Sequence, residues 1–261
     1  MLDADFDFAL APLSDVRWPL AASSAYLVLV CVLRRRKEAV TGLPMQRMLA
    51  VHNYALSRLS LAMAVGATYD VVRRIAHEGS GRWLFCEEPS AVARGPLYFW
   101  SYVFYLSKYV ELLDTVFQLL KGRPPPHFFL HTYHHCLVPL ATWAWLATAS
   151  SLQQIGLITN ALVHVFMYHY FYLRVLGRSC WWKRYITQMQ IVQFCLSACC
   201  CAVTFALWGR GAQCAGMRVM GGTFLLNLTF LVQFVGVLAS NDAKARTEAQ
   251  AASTNGKAKW P

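Results

Sequence analysis

Residues 184–208 read RYITQMQIVQFCLSACCCAVTFALW, and after Arg184 no charged residue appears until Arg210. About 20 consecutive apolar residues carry a helix across the hydrocarbon core of a bilayer, so this stretch reads as a membrane span. Six further runs approach that length, at roughly 16–33, 48–72, 97–120, 127–149, 152–176 and 218–240. They lack the short alternating pattern of a membrane barrel. The 261 residues are 57% hydrophobic and only 14% charged, against about 25% charged in a soluble domain. Too little polar surface is left to coat a globule in water. The expected fold class is therefore an all-α membrane protein with seven transmembrane helices over residues 16–240. A lumenal segment (1–15) precedes it and a tail (241–261) follows.

Asp3, Asp5, Asp7 and Asp15 precede the first run, and Arg34, Arg35, Arg36 and Lys37 follow it. A secretory signal peptide carries its basic residues in front, so the first run reads as a span whose far end is cytosolic. Seven spans starting this way put fifteen Lys and Arg on the cytosolic side and seven on the lumenal side, with Arg58 and Lys108 inside helices. That bias predicts a lumenal N-terminus and a cytosolic C-terminus. It also covers most of the net charge of +11; a basic mouth for a polyanionic substrate is the other reading of the same charge. Nucleic acid is an unsuitable partner, since no basic helix or soluble module is present. From Ser240 the composition turns polar and reads as a disordered tail. It ends with Lys257 and Lys259 at the fifth and third positions from the last residue, resembling a dilysine retrieval signal read by coat proteins at the endoplasmic reticulum membrane. The nine cysteines form no CxxC pair. Cys199, Cys200 and Cys201 read as packing residues within a helix. Cys86 and Cys214 fall in predicted lumenal loops, where an oxidising compartment permits a disulfide between them.

Ionisable side chains inside a bilayer are expensive and need a partner or a function. The third run carries Lys108, Glu111, Asp114 and Thr115, at offsets that share one helix face. An internal Lys108–Glu111 pair balances charge, but three charges placed mid-span read better as the lining of a cavity. After the stiff turn from Lys121 through Arg123 to Pro126 comes HTYHH, with His131, His134 and His135 on one face. The next run places Asn160, His164 and Tyr168 on a stripe, and the one after it carries Thr187, Gln190 and Gln193. For these last three, interhelical hydrogen bonding is as good a reading as contact with substrate. Two chemistries suit the histidine cluster. Neutral imidazoles bind metal in the di-iron sites of membrane desaturases and hydroxylases; without metal, an imidazole serves as nucleophile and general acid or base. A di-iron site of that kind takes about eight ligands from several boxes. The chain has eight histidines in all, one of them (His77) in a predicted loop, and no second HxxHH. The ligand count favours the metal-free reading. A receptor or transporter with no catalysis leaves the clustered histidines unexplained.

Four strings in order, KYVELLDT (108–115), HTYHH (131–135), NALVHVFMY (160–168) and TQMQIVQF (187–194), resemble the ELO fatty-acid elongase family. They cover about 90 residues. One departure is visible: the family pattern Met-Tyr-x-Tyr-Tyr is here Met167-Tyr168-His169-Tyr170-Phe171. The resemblance implies helices two to seven around a substrate tunnel, with helix one outside. It implies condensation of acyl-CoA with malonyl-CoA to 3-oxoacyl-CoA, carbon dioxide and CoA, without metal or redox cofactor. On that pattern His134 is the expected nucleophile and His164 the second catalytic imidazole. Lys108, Asn160, His131 and His135 are donors or proton handlers, and Glu111 and Asp114 orient the histidines and the lysine. Thr115, Tyr168, Thr187, Gln190 and Gln193 are expected to meet substrate, and Lys121, Arg123, Arg178, Lys183 and Arg184 the CoA phosphates. The implied partners are membrane lipid and the reductases and dehydratase of the elongation cycle.

Overall fold

Each apolar run becomes helix. The computed structural model describes residues 5–36 and 38–257, so Lys37 and Lys259 lie outside the described residues. The helices are α1 (Arg17–Arg34), α2 (Leu43–Glu78), α3 (Pro96–Glu111), α4 (Leu113–Leu120), α5 (Phe128–Ala147), α6 (Gln153–Val175), α7 (Lys183–Gly209) and α8 (Met217–Lys257). No strand occurs among the described residues; a single backbone bridge joins Asp7 to Arg94. By length and composition, α7 and the Met217–Ala243 part of α8 are apolar enough to cross a membrane.

Local chemistry sets the helix ends. Asp15 accepts from the backbone N–H of Arg17 at 2.8 Å and from its guanidinium at 2.7 Å. The Arg17 hydrogen bonds hold that carboxyl down to a pKa of about 2. Pro44 and Pro96 sit in the first turns of α2 and α3, where the missing N–H costs nothing. The third run is interrupted at Leu112, whose backbone nevertheless stays right-handed helical (φ −58°, ψ −27°), so α3 and α4 act as one rod. Pro139 lies inside α5 and leaves the His135 carbonyl, one turn earlier, without its helical donor. The tail departs from the expected irregular chain, since α8 runs on to Lys257. Its Ala, Lys, Arg, Glu and Gln are good helix formers, and propensity outweighs polarity there.

Packing closes a ring. α2 lies against α3 and α6, α3 against α5, α5 against α8, α8 against α7, and α7 against α6. α1 stays outside that ring and packs on α4 and α5. Close approach of α2 and α3 depends on Gly66, where a Cβ would stand 2.1 Å from the Trp100 indole. Beside it Trp100 donates from Nε1 to Asp70 at 3.1 Å.

The loop between α2 and α3 is tied across one end of the ring. Arg74 bonds both oxygens of Glu87 (2.5 and 2.9 Å) and lies 4.0 Å over the Trp83 ring. The Glu87 carbonyl accepts from Ala215 at 2.8 Å, and Thr204 donates to the Phe85 carbonyl at 2.6 Å. A Cys86–Cys214 disulfide joins this loop to the turn before α8. Because it closes a chain segment of 128 residues, it restricts the unfolded chain strongly. Replacing both cysteines by serine is expected to cost about 2–4 kcal/mol and to lower the thermal midpoint of detergent-solubilised protein. An unchanged midpoint would mean that the backbone bonds alone hold the cap.

Candidate active site

The rod of α3 and α4 carries two carboxylates one turn apart, each held differently. Glu111 Oε1 accepts from Lys108 Nζ at 2.7 Å and from Ser107 Oγ at 3.0 Å, with His164 Nδ1 of α6 at 3.5 Å. Lys108 reaches on to Asn160 Oδ1 at 3.3 Å and sits 3.9 Å from the centre of the Phe104 ring. Lys108 and Glu111 are each 2% exposed. Desolvating two charges to that extent is repaid only by close geometry and further hydrogen bonds, and both are present. Asp114 instead accepts from Tyr168 Oη of α6 at 2.6 Å and pairs with His52 Nε2 of α2 at 2.7 Å.

The histidine box lies on the first turns of α5, with its rings in mutual contact. His131 and His135 are 4.4 Å apart between ring centres, and His134 lies 5.2 Å from His135 and 5.0 Å from Phe230 of α8. Among the described residues, His131 Nε2 and Thr132 Oγ1 are buried without a hydrogen-bond partner. Buried polar atoms are nearly always paired; His131 Nε2 differs in lying on a ring that lines an interior cavity. No three His, Cys, Asp or Glu side chains are grouped to share a metal ion among the described residues.

A cavity of about 710 Å³ joins these parts. Glu111, Asp114, His131, His134, His135, Asn160, His164 and Tyr168 line it, together with Thr187, Gln190 and Gln193 of α7. Its wall continues to the exposed Lys121, Arg123 and Arg174 and to Pro124, Pro125 and Pro126 in the turn before α5.

Five expected residues stand elsewhere. Lys108 lies behind Glu111 rather than on the cavity wall. Thr115 is fully buried and turned to α1, 2.8 Å from Tyr26 Oη. Arg178, Lys183 and Arg184 are exposed and off the wall, because they follow α6 or open α7 and point to solvent beyond the cavity rim. Arg174, in the last turn of α6, stands on the wall in their stead; in sequence it counts only among the fifteen cytosolic Lys and Arg. His52 was likewise invisible, since it stands alone on α2 with its partner 62 residues away. At the departing motif positions, Phe171 lines the cavity, whereas His169 stacks on Trp182 (5.8 Å, 13°).

Charged and imidazole side chains sunk within an all-helical bundle of this apolarity define a membrane protein with an interior polar site. The chain belongs to the ELO (GNS1/SUR4) family, whose model matches residues 11–249. It is 34% identical to a putative fatty acid elongase of Dictyostelium discoideum over 97% of this chain and 86% of that protein. With fatty acid elongase sre1 of the same organism the identity is 35%, over 72% of this chain and 70% of the relative. A putative fatty acid elongase 1 of Schizosaccharomyces pombe is 33% identical over 73% of this chain and 55% of its own length. The protein is accordingly a membrane-embedded member of the fatty acid elongase family.

Proposed function

We propose that this protein is the condensing enzyme of fatty-acid elongation, joining acyl-CoA to malonyl-CoA. The observation that carries the reading is the convergence of His134, His164, Glu111 and Asn160 on one cavity whose exposed end bears Lys121, Arg123 and Arg174. Acyl transfer needs a nucleophile. In this reading His134 attacks the thioester carbonyl, CoA leaves as the thiol, and an acyl-imidazole remains. Malonyl-CoA then loses carbon dioxide, and its enolate attacks the acyl carbon. The imidazole departs and regains a proton, leaving 3-oxoacyl-CoA two carbons longer.

The enolate carries developing negative charge, which fixed donors stabilise best where water is excluded. Asn160, held by Lys108, and the unpaired His131 are placed on or beside the cavity for that task. Glu111 orients His164 as a carboxylate orients histidine in a triad. The exposed basic residues receive the CoA phosphates. The ring α2–α3–α5–α8–α7–α6 supports an acyl tunnel running toward the end that the α2–α3 loop crosses, with α1 outside. In this reading the seven apolar runs are spans, the charge bias puts the N-terminus in the lumen and the C-terminus in the cytosol, and the disulfide then lies in the oxidising compartment. The endoplasmic reticulum is the proposed address. In this reading no metal or redox cofactor takes part, and reductases and a dehydratase process the product.

Membranes containing the protein, given radiolabelled malonyl-CoA and a panel of acyl-CoAs, are expected to form product two carbons longer. Formation should be insensitive to chelators and to removal of oxygen. A product of unchanged length with a new double bond or hydroxyl would replace this reading with oxygen chemistry.

A further inference from the structure

We propose that His52 is a positioning residue for the reaction, acting on the cavity through Asp114. An ionised carboxylate only accepts hydrogen bonds, so His52 donates from Nε2 across the 2.7 Å contact to Asp114 Oδ1. The His52 ring is 8% exposed and held edge-on by Phe117 (5.1 Å, 84°) and Tyr168 (6.5 Å, 88°). It does not line the cavity, whereas Asp114 does. The second carboxylate oxygen accepts from Tyr168 Oη at 2.6 Å. Tyr168 in turn packs its ring edge-on to His164, 5.4 Å between centres. One line of contact therefore runs from α2 through α4 to the His164 imidazole on α6.

Asp114 alone has a freely turning carboxylate. With both oxygens engaged from two different helices it has one orientation, and Tyr168 then has one position against His164. Charge-assisted hydrogen bonds of this kind are short and strong, and supporting contacts decide how closely a site keeps its productive geometry. His52 stands off the cavity wall, so its loss is expected to act on turnover and not on binding.

This proposal rests on the condensation reading, and wild-type protein assayed in parallel separates the two. His52→Leu fills the ring's space without a donor and is expected to lower kcat about 30–100-fold, the scale of a misplacement near 1 Å. KM for acyl-CoA and malonyl-CoA should stay within about threefold. His52→Gln, whose amide can donate to the same oxygen, is expected to recover kcat to within about fivefold of the wild type. Tyr168→Phe leaves His52 on Asp114 and breaks the next bond of the line by removing only a hydroxyl, and it serves if the leucine variant does not fold. It should show the same kcat-only loss. The proposal is overturned by near-normal kcat in His52→Leu or in Tyr168→Phe, by glutamine no better than leucine, or by an effect confined to KM. Absence of labelled product from the wild type ends both readings; product from wild type and leucine variant alike ends only this one.

Discussion

His134→Ala is expected to abolish condensation, lowering turnover roughly 10³–10⁶-fold while the protein remains folded and able to hold acyl-CoA. The range spans the loss of a general base and the loss of a nucleophile. Structure supports the second half of the expectation. His134 meets His135 edge-on and Phe230 at a tilt, and the deeply buried ion pair beside it is built from α3 residues. Alanine therefore removes a cavity-lining imidazole without unpairing a charge. Intact-protein mass spectrometry after mixing with acyl-CoA alone checks the chemistry directly. Wild type should gain one acyl mass and His134→Ala none. An acyl adduct that survives in His134→Ala and disappears in His164→Ala would move the nucleophile to α6, and unchanged turnover would remove the acyl-imidazole altogether.

The helices were legible because apolar length is a property of consecutive residues. The site was legible only in part, and its geometry explains why. Successive helical residues turn by about 100°, so the stripe Lys108–Glu111–Asp114–Thr115 is broad enough to serve several neighbours. Glu111 and Asp114 reach the cavity, Lys108 reaches Asn160, and Thr115 turns outward to Tyr26 of α1. Periodicity identified the face and could not divide it. The histidine box was easier, since three imidazoles in five residues have few structural uses. His52 had no periodic signature at all, because its meaning lies in a partner on another helix. Basic residues near the turns misled for a related reason. Arg174 and Arg178 differ by one helical turn, and only the end of α6 decides which of them meets the cavity. Cys86 and Cys214 were a fair inference from their predicted loops, and the α2–α3 loop that carries Cys86 is a well-bonded cap.

Glu111→Ala is expected to cost about 3–5 kcal/mol of folding free energy, because it strands the Lys108 ammonium in the interior. Asn160 and the Phe104 ring remain beside that ammonium, but neither carries the compensating charge. The double replacement Lys108→Met with Glu111→Leu should recover most of the lost stability, since apolar residues of similar volume substitute well for a buried ion pair. Activity should not return with it. His164 would then face leucine where it now has a carboxylate at 3.5 Å, and Asn160 would lose the donor that fixes its amide. Thermal unfolding in detergent, set beside malonyl-CoA-dependent turnover, separates the two properties. If the double variant is both stable and active, the pair is helix glue and Glu111 has no part in orienting His164. A stable but inactive double variant means that the interior charges are kept for chemistry, at a cost in stability that an apolar core would avoid.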